Sequence, residues 1–354
     1  MPWKAVSIVS LRKEFVMLAI SDNSNIRELC GRFGISARTG YKWLRRYQAQ
    51  GEEGLVDQSR RPAHSPARTP SEMEQAILEV CAKHPAWGAR KIRARLSPIG
   101  QQQVPNASTI TAILKRAGMI DLAEGAKHRP WQRFEHDSPN KLWQMDFKGH
   151  FAISNGRCHP LTVLDDHSRF ALGLEACGDE TAQTVKERLI TIFRRYGLPK
   201  RMLMDNGSPW GDGGKQPYTA LSVWLLRLDI AVSHGRPYHP QTQGKDERFH
   251  RTLKAEVLRD RNFTDLFGCQ RTFDPWRDVY NLERPHEALG FATPASRYHI
   301  SPRPFPEVLP PLEYSSNDLV RKAQDKGQIS FRGKTFVIGK AFRGFPLALR
   351  PALD

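Results

Sequence analysis

The first stretch of the chain, residues 1–56, repeats apolar side chains at the spacing of amphipathic helices. NIRELCGRFGIS carries four of them at i, i+3, i+4 and i+7, which is one face of a helix: Ile26, Leu29, Cys30 and Phe33. Gly34 then breaks the helix, and Ser36 would cap the next one, SARTGYKWLRRYQAQG. The pattern predicts two short helices joined by a tight glycine turn.

The second of these helices has an apolar face and a basic face. Its inward face would hold Ala37, Tyr41 and Leu44. Its outward face would present four cations: Arg38, Lys42, Arg45 and Arg46. A helix, a tight turn and a basic helix form the helix-turn-helix arrangement, whose second helix enters the major groove of DNA. An ordinary helical hairpin with a solvated basic face is the alternative.

Two segments lack apolar periodicity and are predicted to be linkers. Residues 57–70 are rich in Pro, Ser and Arg, and proline favours an extended chain there. Arg60 and Arg61 in this linker would enter a minor groove as a basic arm, or would simply be solvated. Residues 126–140 are polar and punctuated by proline, and they mark a domain boundary.

A second helical module is predicted between these linkers, at residues 71–125. MEQAILEVCAKH, GARKIRARL and ASTITAILKRAGM are three amphipathic segments. Ser71 and Glu74 have the spacing of a capping box in front of the first. The module is interpreted as another helix-turn-helix, with or without a wing, in which Arg90 and Lys91 would contact DNA.

From residue 141 the period of the pattern changes to that of strands. KLWQMDFKGHFAI, CHPLTVLDDHSR and FALGLEAC predict three antiparallel strands, the first two joined by the turn SNGR. Helix, strand, helix, strand and helix follow. This order predicts an α/β domain over residues 141–262 with a mixed five-stranded sheet.

The remainder of the chain is divided into two predicted parts. Residues 263–308 contain polar helical segments and then a Pro-rich linker. Residues 309–354 alternate around glycine turns, the pattern of a small β-barrel, and the segment is short enough for that barrel to lack strands.

Charge narrows the choice of partner. The 354 residues include 54 Lys and Arg against 37 Asp and Glu, a formal net charge of +17. Such a surface favours nucleic acid, because neutralising phosphates releases counterions. A basic protein that is merely soluble is the alternative.

The five cysteines are scattered without a CxxC pair, which argues for reduced thiols and against a zinc module. The sequence contains no run of 18 or more apolar residues, so it does not predict a membrane-spanning helix.

Three acids in the α/β domain are candidates for chemistry. Asp146 lies in the strand WQMDF, Asp205 ends the strand LMDNG, and Glu247 lies one turn into the helix after Gly244. A carboxylate among apolar strand residues is costly unless it meets a cation. Oxygen ligands without a Cys or His cluster fit Mg²⁺ or Mn²⁺. Two such ions about 3.5–4 Å apart serve phosphodiester chemistry.

A plain structural role for these acids is the alternative. Single acids are common at strand ends, and Asp-Asn-Gly is also an ordinary turn. Asp165 and Asp166 compete as candidate ligands, although their place at a strand end beside a turn favours a role in organising that turn.

The spaced set of motifs resembles a known family. WQMDF, LTVLDDHSRF, MDNG and RPYHPQTQGKDERFHRTLKAE together closely resemble the bacterial insertion-sequence transposases of the DDE superfamily, whose catalytic core is that of retroviral integrases and RNase H. The resemblance covers nearly the whole chain. It extends to LCGRFGISARTGYKWLRRY and WGARKIRARL at the front and to ERPHEALGFATPASRY after the core.

The resemblance implies roles for particular residues. Asp146, Asp205 and Glu247 would be the metal-binding triad. Arg251 and Lys254, at i+4 and i+7 from Glu247, would hold the phosphates of the DNA end. The interval from Asp205 to Glu247 is longer than is usual in the family, and the excess lies in the glycine-rich loop SPWGDGGKQPYT.

The expected function is DNA transposition. The N-terminal modules would read terminal inverted repeats, and the core would nick each end and join the freed 3′-hydroxyl to target DNA. Two DNA ends must meet, so at least a dimer is expected, in the bacterial cytoplasm at the nucleoid. Two alternatives are an inactive DNA-binding regulator derived from a transposase, and an RNase H-type nuclease that cuts without joining.

Overall fold

The computed structural model describes residues 7–22, 24–58, 68–97, 104–120, 135–211, 218–235, 244–259 and 261–350. By its internal packing the chain divides into two compact units, Met1–Arg68 and Thr69–Asp354. Within the described ranges, no helix is long and apolar enough to cross a membrane.

Three helices form the first unit: α1 Ile8–Ile20, α2 Ile26–Arg32 and α3 Ala37–Gln50. Ser36 caps α3 as predicted, because its side-chain oxygen accepts a hydrogen bond from the backbone N–H of Thr39. Gly34 turns the chain between α2 and α3 with a φ of +62°, a conformation that favours glycine. The predicted helix, glycine turn and basic helix are confirmed.

The buried face of α3 differs from the prediction. It contains Gly40 and Trp43, whereas Tyr41 is 45% exposed. Trp43 is the largest apolar side chain of α3 and packs in the core. The buried face is therefore rotated about the helix axis relative to the predicted one. Three cations cover its ring, at 3.9, 4.6 and 5.1 Å from the centroid: Arg12, Lys42 and Arg46.

The second unit begins with three helices, α4 Ser71–Lys83, α5 Ala89–Leu96 and α6 Ala107–Arg116. Their core is apolar, with Ile77, Ile92 and Ile110 at its centre. The capping role predicted for Ser71 is wrong: Pro70 occupies the cap position and no side chain caps the helix. Glu74 instead accepts a hydrogen bond from Arg116 Nη2 at 2.9 Å, which ties α4 to α6.

A mixed sheet follows, as predicted. Its strands are β1 Trp143–Phe147, β2 Phe151–Ile153, β3 Gly156–Asp165, β4 Ala171–Cys177, β5 Arg201–Met204 and β6 Ala231–His234. β3 pairs antiparallel with β1, β2 and β4. β5 lies parallel between β1 and β6. The connecting helices are α7 Ala182–Tyr196 and α8 Ala220–Arg227.

The sheet has six strands rather than the predicted five, because the first predicted strand is interrupted. β1 and β2 pair with β3 in nearly continuous register, with Phe147 opposite Leu161 and Phe151 opposite Cys158. Between them, Gly149 has a φ of +82°, which a regular strand does not contain. The break therefore falls just beyond Asp146.

Each face of the sheet has its own hydrophobic core. α7 and α8 cover one face, where they pack on residues that include Trp143, Met145, Met202 and Met204. The other face is covered by α9 Gly244–Leu253 and α10 Leu266–Asp278, through Phe249, Leu253 and Phe273. Successive strand residues point to opposite faces, so Asp146 points to the α9 side.

α9 and α10 each end in a π-helical turn, Lys254–Leu258 and Val279–Glu283. Glu256 in the first turn pairs with Arg284, just after the second. Two further ion pairs join α5 to this region: Arg95 to Glu283 at 3.1 Å and Arg90 to Glu287 at 2.9 Å. The second helical module is thus docked on the segment that follows the sheet.

The predicted C-terminal β-barrel is not closed among the described residues. β7 Leu319–Lys322 pairs only with β10 Pro346–Leu349, and β8 Gln328–Phe331 only with β9 Lys334–Val337. Among the described residues of this segment, the buried apolar side chains are those of Ala323 and Ile329. Four-residue strands with so small an interior form two separate ladders rather than a barrel.

Candidate active site

Asp146 lies on β1, and Asp205 directly follows β5, the parallel neighbour of β1. β1 and β5 pair with Trp143 opposite Met202 and Gln144 opposite Leu203. If this register continues for two more residues along both segments, Asp146 lies opposite Asp205. Adjacent strands lie about 4.8 Å apart, and level residues point to the same face. The two carboxylates therefore share the face of the sheet that α9 covers.

Glu247 lies in the first turns of α9, the helix on that face. Phe249 and Leu253 anchor α9 in the core, while Glu247 is exposed. Arg251 and Lys254 follow it at i+4 and i+7 and are also exposed. The sequence-predicted acid and its two cations therefore occupy one exposed side of the helix that packs over Asp146.

The electrostatics of the site are those of acids held close together. Burial, followed by the neighbouring Asp205 carboxylate, raises the pKa of Asp146 to about 7. Glu180 and Glu247 raise it further, while the backbone N–H of Phe147 lowers it. Burial also raises the pKa of Asp205, against the lowering effect of the Gly207 N–H. Such carboxylates gain from a cation that removes their mutual repulsion.

The donor set fits Mg²⁺ or Mn²⁺ in its chemistry. The candidate ligands are carboxylates, the oxygen ligands that these hard ions prefer. Over the described part of the chain, no three His, Cys, Asp or Glu side chains converge closely enough to hold an ion. Asp146 and Asp205 provide the paired carboxylates, and Glu247 would complete the set from α9.

The loop after β5 holds Asp205 in place. Asp205 Oδ1 accepts a hydrogen bond from the Gly207 N–H at 2.9 Å. His234 on β6 bonds through Nδ1 to the Asp205 backbone oxygen at 2.8 Å. The Asn206 side chain donates to the Gly235 backbone oxygen at 2.7 Å. The Asp-Asn-Gly turn is thus fixed to the next strand on both sides of Asp205.

Asp165 organises the turn after β3, as predicted, whereas the Asp166 side chain bonds to residues outside that turn. Asp165 accepts hydrogen bonds from the backbone N–H groups of Asn140 and Ser168, each at 2.8 Å, and from the Ser168 hydroxyl. Asp166 accepts from Gln144 at 2.7 Å and from Lys245. Their oxygens are therefore occupied by protein donors.

Sequence reasoning missed a buried acid beside Glu247. Asp246 is fully buried, and neither of its carboxylate oxygens has a hydrogen-bond partner among the described residues. Burial, then the charges of Asp146 and Asp166, raise the pKa of Asp246 well above its ordinary value. The helical period could have found it, because Asp246 precedes Phe249 and Leu253 by three and seven positions and so shares their inward stripe.

A cation near the triad was also missed. Lys148, two residues beyond Asp146, is partly buried, and burial followed by the nearby charge of Lys254 lowers its pKa. Its place in WQMDFK, directly after the acid, was the available signal.

The other predicted DNA-contact residues fall in three places. On α3, Arg38, Lys42 and Arg45 are exposed, and Arg46 is partly exposed over Trp43. Arg60 and Arg61 lie outside the described residues. On α5, Arg90 pairs with Glu287, and burial lowers the pKa of Lys91 to about 8. DNA contact through α5 would compete with that docking.

Replacing Asp146 by Asn is expected to stabilise the metal-free protein above neutral pH. The folded protein holds the Asp146 proton up to a pKa of about 7, whereas the unfolded chain releases it near 3.8. The stability of the parent therefore falls as pH rises between these values and stays low above them. At about 1.4 kcal/mol per pKa unit, the advantage of Asp146→Asn reaches a few kcal/mol at pH 8 and is smaller at pH 5.

Thermal unfolding in EDTA at pH 5 and pH 8 measures this advantage. Mg²⁺ should then stabilise the parent at pH 8 and leave Asp146→Asn unchanged, since the ion takes the place of the proton. Identical melting temperatures of the two proteins in EDTA at pH 8 would contradict a raised pKa of Asp146 in the folded protein.

Comparison with protein families matches domain models to several parts of the chain. A helix-turn-helix domain matches residues 11–63, and a homeodomain-like domain matches residues 39–114. Integrase core domains match residues 136–240 and 228–294. The C-terminal domain of the IS481 family transposases matches residues 318–354. The matched domains together are those of insertion-sequence transposases with an integrase-type core. The family predicted from the sequence is confirmed.

Individual relatives of this chain come from insertion elements and retroviruses. An uncharacterized 31.7 kDa protein of insertion element IS407 from Burkholderia multivorans is 26% identical over 251 residues, 68% of this chain and 87% of that protein. A 39.2 kDa protein of IS476 from Xanthomonas euvesicatoria is 24% identical over 66% of each chain. The Gag-Pro-Pol polyprotein of Mason-Pfizer monkey virus is 33% identical over 119 residues, 34% of this chain and 6% of the polyprotein.

Solved structures similar to this chain include retroviral integrases. A chain of the simian T-cell lymphotropic virus intasome matches with a TM-score of 0.41 and 18% identity, over 74% of this chain and 85% of that one. The HTLV-2 integrase catalytic core domain in complex with magnesium matches with a TM-score of 0.36 and 17% identity, over 46% of this chain and 99% of that one.

Proposed function

We propose that this chain is a DNA transposase that nicks the ends of its element and joins each freed 3′-hydroxyl to target DNA. The observation that carries the proposal is the level placement of Asp146 on β1 and Asp205 directly after the parallel strand β5, with Glu247 on the helix over the same face. The raised pKa of Asp146 supports it, because a strained pair of acids is a prepared cation site.

The acids and the cations of the site have different roles in the proposed reaction. Asp146, Asp205 and Glu247 would hold two Mg²⁺ or Mn²⁺ ions, which activate the attacking hydroxyl and stabilise the leaving oxygen when bound. Lys148, Arg251 and Lys254 would bind backbone phosphates of the DNA end and fix it along α9. The attacking group is first water and then the 3′-hydroxyl, so no covalent protein–DNA intermediate forms.

Recognition of the ends is assigned to the helical modules. α3 presents Arg38, Lys42 and Arg45 outward, the face that a recognition helix turns to the major groove. Arg60 and Arg61 would extend the contact into the adjacent minor groove, and Arg90 and Lys91 would add a second contact. Two ends must be joined, so at least two copies assemble on double-stranded DNA, in the bacterial cytoplasm at the nucleoid.

Removing single cations from α3 should weaken end binding by measurable amounts. Arg38→Ala and Arg45→Ala are each expected to lower affinity for terminal-repeat DNA about 5- to 100-fold where the side chain reads a base. Where it contacts a phosphate, the loss is uniform across sequences and the salt slope falls by about 1. Lys13→Ala on α1, whose ammonium pairs with Glu52, is the charge-matched control and should bind as the parent does. Equal binding by all four proteins would remove α3 from the interface.

A cleavage assay tests the proposed function itself. The purified protein is incubated with labelled element-end DNA and Mg²⁺, beside Asp205→Ala. The proposal expects metal-dependent nicks at the element ends and joined products for the parent alone. Binding without cutting by both proteins would favour a DNA-binding regulator. Cutting without any joined product would favour a nuclease.

A further inference from the structure

A buried chain of hydrogen bonds links α9 to the strand that carries Asp146. The Thr162 hydroxyl on β3 lies 2.9 Å from the Asp146 backbone oxygen and 2.8 Å from Nε2 of His250 on α9. Thr162 is fully buried and is the direct cross-strand partner of Asp146. One side chain therefore contacts two of the three elements that carry acids of the triad, β1 and α9.

The direction of each hydrogen bond follows from the number of protons. A backbone carbonyl only accepts, so the single hydroxyl proton of Thr162 is donated to Asp146. The hydroxyl oxygen must then accept from His250, whose Nε2 carries the ring proton. Burial, with a smaller effect of Lys148, lowers the pKa of His250 to about 4, so the ring is neutral under ordinary conditions. A neutral ring avoids adding a charge beneath the carboxylates.

We call the hydrogen-bonded link from His250 through Thr162 to Asp146 the bridge. Its position matters because β1 ends close to it. β1 ends at Phe147, and Gly149 turns the chain out of the ladder. Asp146 is thus one residue from the end of β1, and the pairs between β1 and β5 reach only Gln144, so a side-chain hydrogen bond adds support to the Asp146 backbone. His250 lies three residues after Glu247 on α9, so a hydrogen bond from His250 also fixes the rotation of the turn that carries Glu247.

We propose that Thr162 and His250 are positioning residues that lock the Glu247 helix to the Asp146 strand, so that the acids bind the metal ions as one set. This inference rests on the proposed function, since it assigns the task of the bridge to the triad. Neither side chain touches DNA or metal in this account. Partners that orient ligands in this way affect metal affinity or activity by roughly 10- to 100-fold.

Four variants test the bridge in two matched pairs. Thr162→Val keeps the shape of the side chain and removes the hydroxyl, whereas Thr162→Ser keeps the hydroxyl. His250→Leu removes the Nε2 donor, whereas His250→Gln retains an Nε2 donor at similar reach. Four quantities are measured on the full chain: Mn²⁺ affinity by titration calorimetry, the rate of end nicking, affinity for end DNA in EDTA, and the melting temperature.

The inference expects a selective effect. Thr162→Val and His250→Leu should weaken Mn²⁺ binding and slow nicking by about 10-fold or more, while DNA affinity in EDTA changes less than about twofold. Thr162→Ser and His250→Gln should stay within about threefold of the parent. If Thr162→Val does not fold, the His250 pair carries the test.

Two results would overturn the inference. One is parental Mn²⁺ affinity and nicking in both disruptive variants. The other is a parallel loss of melting temperature, DNA binding and metal affinity, which marks a merely structural contact. Absence of cutting by the parent would instead count against the proposed function, and the Mn²⁺ affinities would still decide the bridge.

Discussion

Glu247→Gln is expected to abolish nicking and joining, whereas Asp246→Asn one residue earlier is expected to leave both within about threefold of the parent. Glu247 is the exposed acid of α9 and would lose a metal-binding charge. Losing several kcal/mol of charge stabilisation, at about 1.4 kcal/mol per tenfold in rate, predicts a fall of at least about a thousandfold.

The neighbouring variant is a matched control because it changes the same chemical group. Asp246 is fully buried, and burial with the charges of Asp146 and Asp166 raises its pKa well above its ordinary value, which favours the neutral acid. Asn reproduces that neutral shape. End-nicking rates at saturating Mg²⁺, with DNA affinity measured in EDTA, compare the two. An active Glu247→Gln protein beside an inactive Asp246→Asn protein would transfer the third acid to Asp246.

Glu256→Ala is expected to destabilise the larger unit by about 3–5 kcal/mol, the cost of leaving a buried charge without its partner. Arg284 is 7% exposed and pairs with Glu256, which is 10% exposed and also accepts a hydrogen bond from Trp276 Nε1 at 2.8 Å. The pair joins the π-turn after α9 to the end of the π-turn after α10. Thermal or urea unfolding of the full chain measures the loss.

Two controls separate burial from charge alone. Glu283→Ala breaks the more exposed pair with Arg95 and should cost about 1 kcal/mol or less. The double variant Glu256→Leu with Arg284→Leu should recover much of the stability, because apolar side chains replace a buried ion pair at little cost. A Glu256→Ala protein as stable as Glu283→Ala would show that the pair contributes no more than a surface contact.

The sequence predicted those parts of the fold in which local pattern and packing agree. Alternation placed Asp146 within the first strand and Asp205 after a later one, and both lie as expected. The glycine turn and the Ser36 cap depend on local backbone chemistry, which a short motif contains. The resemblance then selected these acids from among other strand-end carboxylates.

The sequence could not supply what depends on distant partners. Gly149 interrupts a strand whose apolar pattern continues past it, so the pattern overstated its length. The alternating residues of the C-terminal segment predicted a barrel. Only the packing shows that its buried apolar side chains, Ala323 and Ile329, are too few for a barrel interior. The link from His250 to Thr162 joins positions 88 residues apart, and no local period reports such a contact.

Joining of a pre-cut end tests the central claim most directly. Element-end DNA carrying a 3′-hydroxyl is mixed with target plasmid, protein and Mg²⁺, beside the same DNA with a 3′-deoxy terminus and beside Asp205→Ala. Direct attack predicts branched DNA products only with the 3′-hydroxyl, the metal and the intact triad, and no DNA linked to protein. Joining in EDTA, joining by Asp205→Ala, or a covalent protein–DNA species would contradict the account.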